Sequence, residues 1–219
     1  MDTKDNMKTI TQETKKIFVI VILLSPSLVP QSWVNQASGT SQQLKSIFMN
    51  SSMDGWICGD AGTFLHTTNG GGIWTPVNIP NQDLHKVVFN GGAIGIVVGD
   101  NGLIFRTSDS GLNWVSVNSS TNDQLRNACW GNESVAWAAG DDGVIVKSSD
   151  AGLTWQSINS GVTERFRGIA AIGANFAWGI GNDGMIRFTS NAGINWQPQL
   201  NPITDDLHDV QFLNEQTGF

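Results

Sequence analysis

Two short stretches decide the fold, Gly140-Asp-Asp-Gly143 and Ser148-Ser-Asp-Ala-Gly-Leu-Thr-Trp155, because both recur at a fixed spacing. The longer stretch returns with small changes from Thr67, Thr107 and Thr189, so that successive copies begin 40 or 41 residues apart. The shorter stretch precedes every copy, as Gly59-Asp-Ala-Gly62, Gly99-Asp-Asn-Gly102 and Gly181-Asn-Asp-Gly184. Motifs that keep their order at such a period predict a repeat architecture.

Each repeat is predicted to form four short antiparallel strands. In the second repeat we expect them at 84–89, 95–98, 103–107 and 113–117. The turns between them carry Gly with Asp or Asn, which is typical of hairpins. Four strands in about 41 residues is the size of a propeller blade. The sequence therefore predicts an all-β fold, a β-propeller of four-stranded antiparallel blades, with repeats at 44–83, 84–124, 125–165 and 166–206 and another starting at 207.

The longer stretch, which we call the box turn, has a structural explanation at each of its fixed positions. The Asp or Asn oxygen can accept backbone N–H groups further along the turn, the Gly permits a positive φ, and the Trp ring packs into the blade. Two copies have Asn for Asp, which argues against metal binding as the purpose of the motif. The residues expected to play this part are Asn69, Gly71, Trp74, Asp109, Gly111, Trp114, Asp150, Gly152, Trp155, Asn191, Gly193 and Trp196.

Both ends of the chain are predicted to belong to incomplete blades. Trp33 stands eleven residues before Leu44, as Trp114 stands eleven before Leu125, so the part of the chain from 32 onwards is expected to begin with a lone fourth strand. The last repeat reaches Phe219 where earlier repeats enter their second strand. We therefore expect four complete blades with partial first and last units, an open arc of a seven-bladed ring that is truncated at its C-terminal side. Open blade edges would favour aggregation.

Residues 1–31 are predicted to be a leader that takes the chain out of the cytoplasm. Lys15 and Lys16 precede the apolar run 17–24, which is typical of a secretory signal peptide and is short for a membrane span. An uncleaved membrane anchor is the alternative, and it would be the chain's one contact with a membrane. In either case we expect the remainder in a periplasm or lumen, at the cell surface or outside the cell.

The composition limits the classes of function. The chain has 12 Lys and Arg against 19 Asp and Glu, a net charge of −7, which argues against nucleic acid as the partner because phosphate binding needs a clustered basic surface. The two cysteines, Cys58 and Cys129, fall at unrelated repeat positions and are expected to be separate buried thiols. No motif indicates a metal site, a cofactor or a catalytic residue.

One repeated feature is not required for folding. The second position of every first strand is basic, and we call these residues the basic ring: Lys45, His85, Arg126, Arg167 and His208. First strands are innermost in a propeller, so the basic ring is expected near one mouth of the channel. It is predicted either to bind an acidic peptide or another anion, or to form solvated salt bridges to the turn acids Asp60, Asp100, Asp141 and Asp183.

The Gly-Asp-x-Gly turn followed by the box turn, as in Gly140 to Trp155, resembles the BNR/Asp-box repeat. Over residues 33–219 the units are similar in particular to the photosystem II assembly and stability factor family of lumenal propellers. That resemblance implies a seven-bladed propeller that binds protein and assists assembly of a membrane complex, in photosynthesis or elsewhere. The implied partner is a protein, expected to present an acidic segment of a membrane or surface complex.

Carbohydrate-active propellers are the alternative, because sialidases and some glucan-degrading hydrolases share the repeat; an adhesin is a further one. A sialidase needs a Tyr nucleophile, and this chain has no Tyr. A paired-carboxylate hydrolase needs two acids facing each other across a cleft, whereas Asp60, Asp100 and Asp141 occupy equivalent turns. On this alternative the catalytic residues would lie beyond Phe219, and carbohydrate would be the ligand. We therefore expect a binding protein rather than an enzyme.

Overall fold

The computed structural model describes residues 35–219 and contains four four-stranded antiparallel sheets and one two-stranded sheet. In every four-stranded sheet the strands follow one another in chain order, and each pairs with the next. This confirms the predicted propeller class and its open arc of blades. The predicted leader and Trp33 lie outside the described residues. Within residues 35–219 the structure has no helix with the length and apolar character that crossing a membrane requires.

The first two blades begin at the predicted apolar residues. The first blade consists of β1 Leu44–Met49, β2 Gly55–Gly59, β3 Phe64–Thr67 and β4 Thr75–Pro76. The second consists of β5 Leu84–Phe89, β6 Gly95–Gly99, β7 Ile104–Thr107 and β8 Val115–Val117. The strand β8 starts two residues later than predicted, because the backbone N–H of Asn113 donates to Asp109 Oδ1 and so belongs to the box turn.

The third and fourth blades repeat this arrangement. The third consists of β9 Leu125–Trp130, β10 Ala136–Gly140, β11 Ile145–Ser148 and β12 Gln156–Ile158. The fourth consists of β13 Phe166–Ile172, β14 Phe176–Gly181, β15 Ile186–Thr189 and β16 Gln197–Pro198. The first strands of neighbouring blades contact one another, so they line the inner side of the arc.

Burial decreases from the second strand of a blade to its fourth. All residues of β6 are buried, because neighbouring blades cover both of its faces, and its sequence is accordingly apolar throughout. The fourth strand β8 is exposed at Val115 and Ser116 and forms the outer edge of its sheet. The sequence of each strand therefore matches the number of its faces that are covered.

The box turn is held by its own side chains. The Thr107 hydroxyl donates to Asp109 Oδ1 over 2.7 Å and accepts the backbone N–H of Gly111 over 2.9 Å. The same carboxyl oxygen accepts the backbone N–H of Asn113 over 2.9 Å. In the first blade Asn69 Oδ1 accepts the corresponding N–H over 2.8 Å. The amide thus supplies the same acceptor as the carboxylate.

The box turn also receives the side chain of the preceding blade. Trp56 of the first blade is fully buried and lies beneath Gly111, where a Cβ atom would come within 2.1 Å of the Trp56 ring. The box Trp114 packs edge-on against Trp56, with ring centroids 5.4 Å apart. Trp137 of the third blade lies beneath Gly193 of the fourth in the same way.

Two basic side chains add polar contacts between blades. Arg106 Nε donates to the Ala151 carbonyl over 2.7 Å, and Lys147 Nζ donates to the Ala192 carbonyl over 3.0 Å. Each acceptor follows the Asp or Asn of the next blade's box turn. A cation on the third strand of one blade therefore holds the box turn of the following blade.

The start of the described chain lies against the first blade. The Gln36 amide donates to the Gly70 carbonyl over 3.3 Å. Gln36 also lies beside Gly71, just as the fourth-strand residue Ile158 lies beside Gly193 of the following blade. Gln36 therefore takes the place that a fourth-strand residue of a preceding blade would hold.

The fifth unit forms less structure than predicted. Only β17 Phe212–Asn214 and β18 Thr217–Gly218 pair, and residues 207–211 are not a strand. In complete blades the first half of the first strand pairs with the end of the second strand. In the fifth unit the pairing goes as far as Gln211 and Phe219, whose backbones exchange two hydrogen bonds of 2.9 Å. Phe212 nevertheless stacks on Trp178, with ring centroids 3.7 Å apart.

The two cysteines differ in burial. Cys58 is fully buried, as predicted, whereas Cys129 is only half-buried, which corrects the expectation for that residue. Cys129 lies on a first strand and borders the space enclosed by the arc. Desolvation raises the pKa of both thiols to about 12.

Substituting the glycine of the second box turn tests the contact between blades. Gly111→Ala is expected to lower the free energy of unfolding by about 1–3 kcal/mol more than Gly91→Ala, because the added methyl group collides with Trp56. Gly91 is a matched control, since its φ of +85° is close to the +87° of Gly111 and nothing lies within 4 Å of its added methyl. Urea unfolding measures both values, and equal losses would contradict the packing argument.

Two substitutions at Asp150 separate its acceptor role from its charge. Asp150→Ala is expected to lower the free energy of unfolding by about 1 kcal/mol, because Ser148 and the Thr154 backbone lose their acceptor. Asp150→Asn is expected to lose less at pH 7, because Asn191 makes the equivalent bonds. Thermal unfolding of both variants beside the wild type measures the difference.

The wild type and Asp150→Asn are also expected to differ in how their stability depends on pH. Burial of Asp150 opposes its ionisation, but the hydrogen bonds from Thr154 and Ser148 outweigh burial and lower its pKa to about 2. Because this pKa lies below the ordinary value of 3.8, the carboxylate's contribution to stability is present above pH 3.8 and is lost as the pH falls towards 2. The stability of Asp150→Asn should vary less over this range, and identical acid profiles would contradict the assignment.

Candidate functional site

The structure brings all five residues of the basic ring to one cavity of about 260 Å³. The cavity lies where the first strands begin, beside the Gly-Asp-x-Gly turns. Three further residues complete its lining, namely Lys86, Asn127 and Asp209. The position follows from the repeat, because the second residue of each inner strand takes the same place in each blade. We call this space the ring cavity.

Lys45 is held between two carboxylates in the first blade. Its Nζ donates to Asp83 Oδ2 over 3.0 Å and also pairs with Asp60. Burial alone would lower the pKa of Lys45, but these hydrogen bonds outweigh it and raise the pKa. Asp83 also accepts the Ala61 backbone N–H over 2.9 Å, and this bond, with Lys45, lowers its pKa to about 2.

His85 is the most enclosed member of the basic ring, with 8% of its side chain exposed. Its Nε2 lies 2.7 Å from Asp100 Oδ1 and 2.9 Å from Gln124 Nε2. Burial lowers the pKa of His85, Asp100 opposes this effect, and the nearby cations Lys45 and Arg126 add to it. The imidazole is therefore neutral at pH 7.

Two arginines share one carboxylate in the third blade. Arg126 pairs with Asp141 through Nε and through Nη2, the latter at 3.0 Å from Oδ2, and Nη2 also donates to Gln124 Oε1. Arg165 Nε lies 2.7 Å from Asp141 Oδ1. Burial of Asp141 works against its ionisation, but the two guanidinium groups outweigh burial and lower its pKa.

The fourth blade departs from the predicted pairing. Arg167 Nε donates to Asn182 Oδ1 over 2.7 Å, and Arg167 Nη2 lies 2.6 Å from Asp206 Oδ2. The predicted salt bridge from Arg167 to Asp183 is therefore wrong. The first residue of the turn faces the basic ring, whereas Asp183 is the second residue of the turn and has a φ of 53°. His208, the fifth member of the basic ring, is exposed.

Sequence reasoning missed the residues that directly precede the opening apolar residue of the second to fifth repeats. Asp83, Gln124, Arg165 and Asp206 occupy this position, and each contacts a basic-ring side chain or its partner. Their equivalent places in the repeat could have revealed them. Lys86 was also missed, because it follows His85 without a counterpart of the same charge in the other blades.

A comparison with known protein families identifies the family of this chain. Residues 26–126 and 81–215 match the family described as Photosynthesis system II assembly factor YCF48. The chain belongs to this family. The two matched segments together include every complete blade and all five basic-ring residues. A comparison with curated protein sequences gives no match.

Solved structures of the family have the same fold. "YCF48 bound to D1 peptide" superposes with a TM-score of 0.68 at 19% identity, covering 85% of this chain and 62% of that one. YCF48 from Cyanidioschyzon merolae gives 0.64 at 17% identity, covering 83% of this chain and 63% of that one. The chain thus spans less than two thirds of the length of these two proteins.

The fold is shared with enzymes as well. An ancestral GH74 enzyme superposes with a TM-score of 0.64 at 18% identity, covering 80% of this chain but 28% of that one. At this identity the likeness shows the fold alone.

Removing the carboxylate shared by two arginines tests the charge arrangement of the ring cavity. Asp141→Asn is expected to lower the free energy of unfolding by about 1 kcal/mol, because Arg126 and Arg165 then face an uncharged amide. Asn182 shows that the turn itself accepts Asn at this position. Asp123→Asn, an exposed carboxylate before the same blade, is the control and should change stability little. Equal effects of the two variants would contradict the shared ion pair.

Proposed function

We propose that this chain is an exported, non-catalytic propeller that holds an acidic segment of a protein partner in the ring cavity, as part of the assembly of a membrane or surface complex. The observation that carries the proposal is the convergence of Lys45, Lys86, Arg126 and Arg167 on one cavity whose lining contains a single carboxylate, Asp209. Such a cluster favours anionic ligands.

The pairings in the third blade leave positive charge available to a ligand, whereas in the first blade Asp60 and Asp83 both pair with Lys45. Arg126 and Arg165 share the single carboxylate of Asp141, so one positive charge of this group is not matched. Lys86 takes part in none of the ion pairs found within residues 35–219. A ligand carboxylate can therefore bind beside Lys86 and Arg126 without displacing an internal partner. A guanidinium that accepts a second carboxylate gains charge-assisted hydrogen bonds.

Family membership supports a protein as the ligand. One of the structurally similar members is described as bound to a peptide, the D1 peptide. The carbohydrate-hydrolase alternative needs a general acid whose pKa is raised. Among the turn and ring carboxyls, the pKa values of Asp83 and Asp141 are lowered instead. Asp83 and Asp141 therefore do not match such a general acid.

The binding proposal is tested with two peptides of equal length, one rich in Asp and Glu and one with Asn and Gln at the same places. We expect the acidic peptide to bind and the amide peptide to bind at least about tenfold more weakly, with the preference falling as salt rises. Fluorescence anisotropy of labelled peptides measures both affinities. Equal affinities would contradict the proposal.

Charge-removing variants locate the site. The double substitution Arg126→Gln with Arg165→Gln is expected to weaken binding of the acidic peptide by about tenfold or more. Arg187→Gln removes the same kind of charge from a third strand outside the ring cavity, so it is the control and should change affinity less than twofold. Thermal unfolding of each variant shows whether it is folded. An equal loss in the control would place binding elsewhere.

Export is the part of the proposal that depends on residues 1–31. We expect the full chain, produced in a bacterial cell, to reach the exported fraction, and a chain starting at residue 32 to stay in the cytoplasm. Changing Lys15 and Lys16 to Glu should reduce export, because the basic start of a signal peptide orients it. Fractionation with protease protection measures the distribution. Retention of the full chain in the cytoplasm would overturn this part.

A further inference from the structure

We propose that His85 acts through Gln124 to control the position of Arg126, so that binding in the ring cavity strengthens as the pH falls. This inference rests on the proposed anion-binding function and adds its regulation. His85 and Gln124 are positioning residues here, and Arg126 is the group that meets the ligand. The argument depends on three polar side chains that meet at one point, the imidazole of His85, the carboxylate of Asp100 and the amide of Gln124.

The contacts of His85 Nε2 cannot all be satisfied in the neutral imidazole. Nε2 lies 2.7 Å from Asp100 Oδ1, which only accepts, and 2.9 Å from Gln124 Nε2, which only donates. A neutral ring nitrogen either carries a proton or accepts one, but does not do both. The proposal assigns the neutral ring its proton on Nδ1, so that the lone pair of Nε2 accepts from the Gln124 amide, which also donates to Asp100. The contact between Nε2 and Asp100 Oδ1 is then the one that has no proton.

The orientation of Gln124 is fixed at its other end by Arg126. Gln124 Oε1 accepts from Arg126 Nη2, while the guanidinium also pairs with Asp141. In this state one N–H of Arg126 is occupied by the amide oxygen. The amide of Gln124 therefore connects the imidazole of one blade to the guanidinium of the next.

Protonation of His85 changes the favoured partner of Nε2 from the Gln124 amide to Asp100. Both ring nitrogens then donate, so Nε2–H binds Asp100 and faces the N–H groups of the Gln124 amide. The N–H of His85 and the N–H groups of Gln124 repel each other. The amide then turns away from His85, and this movement takes Oε1 of Gln124 away from Arg126. Arg126 keeps Asp141 and presents the released N–H to the ring cavity. The cavity also gains the charge of His85 itself.

The charged groups around His85 determine the direction of the effect. Asp100 favours the protonated imidazole, whereas Lys45 and Arg126 oppose it, and Lys86, Arg167, His208 and Asp209 line the same cavity. Burial and the two nearest cations keep His85 neutral at pH 7. A bound carboxylate adds negative charge beside the imidazole and therefore favours its protonation. By linkage, affinity for the carboxylate rises as the pH falls from neutral through the lowered pKa of His85, down to the region near 4.3 where Glu side chains of the peptide lose their charge.

The experiment compares the dissociation constant of the acidic peptide at pH 7.5 and pH 5.5 in the full chain. We expect binding about 3–10-fold tighter at pH 5.5 for the wild type, which is the gain from one added charge-assisted contact. His85→Gln should bring this ratio close to one. Gln124→Leu should also reduce the ratio, because the link to Arg126 is removed even though His85 still titrates. His208→Gln removes the other cavity histidine, which is exposed, and should lower the ratio less than His85→Gln does. His66→Gln removes the histidine outside the ring cavity, which pairs with Asp54, and should keep the wild-type ratio.

Each of the other outcomes overturns a defined part of the proposal. If the wild type binds equally well at both pH values, this inference is wrong and the proposed function stands. If His208→Gln rather than His85→Gln abolishes the ratio, His85 is not the responsive group. If Gln124→Leu keeps the full ratio, His85 acts by charge alone and the link through Gln124 is wrong. Absence of binding at both pH values would overturn the proposed function together with this inference. NMR titration of the histidine resonances and thermal unfolding at each pH distinguish these results from loss of folding.

Discussion

The contact on which the rest of the structure depends is the packing of one blade's second strand beneath the box turn of the next. Trp56 occupies the space that Gly111 leaves by having no side chain, and Trp137 does the same beneath Gly193. The hydrogen bonds within the box turn hold the backbone so that this space exists. Between the second and third blades Ile96 lies beneath Gly152 in the corresponding place. Because the contact recurs at these three boundaries, it fixes the rotation between blades and hence the curvature of the arc.

The ring cavity is a consequence of that curvature. First strands converge on the inner side of the arc, so residues that are about 40 positions apart in the chain come together at their starting ends. A single basic residue per repeat would be an isolated surface charge in a flat sheet. Here the repeat concentrates these residues at one mouth, and the sequence of the intervening turns decides how strongly each is neutralised by its own blade.

The sequence predicted the strands and the basic ring because both depend on local, repeated signals. The boundary at Leu84 follows from apolar spacing, and the convergence of Lys45 and Arg126 follows from equivalent positions in neighbouring units. The pairings were less predictable, because they depend on departures from the repeat. Asn182 in place of Asp makes Asp206 the carboxylate that pairs with Arg167, and Arg165 stands where other blades have an acid or an amide. Such differences have meaning only once the distances between side chains are known.

The cations that reach from a third strand to the next box turn have a consequence for cooperativity. Arg106 and Lys147 each connect a blade only to its successor, as do the tryptophans beneath the box turns. The stability of the arc is then close to a sum of blade terms and nearest-neighbour coupling terms, as in a linear repeat array. A blade with two neighbours opens less often than one at an end, so protection from amide exchange should be greatest in the second and third blades. The curved arc therefore behaves, in its thermodynamics, as a one-dimensional chain of blades that are each coupled to their neighbours.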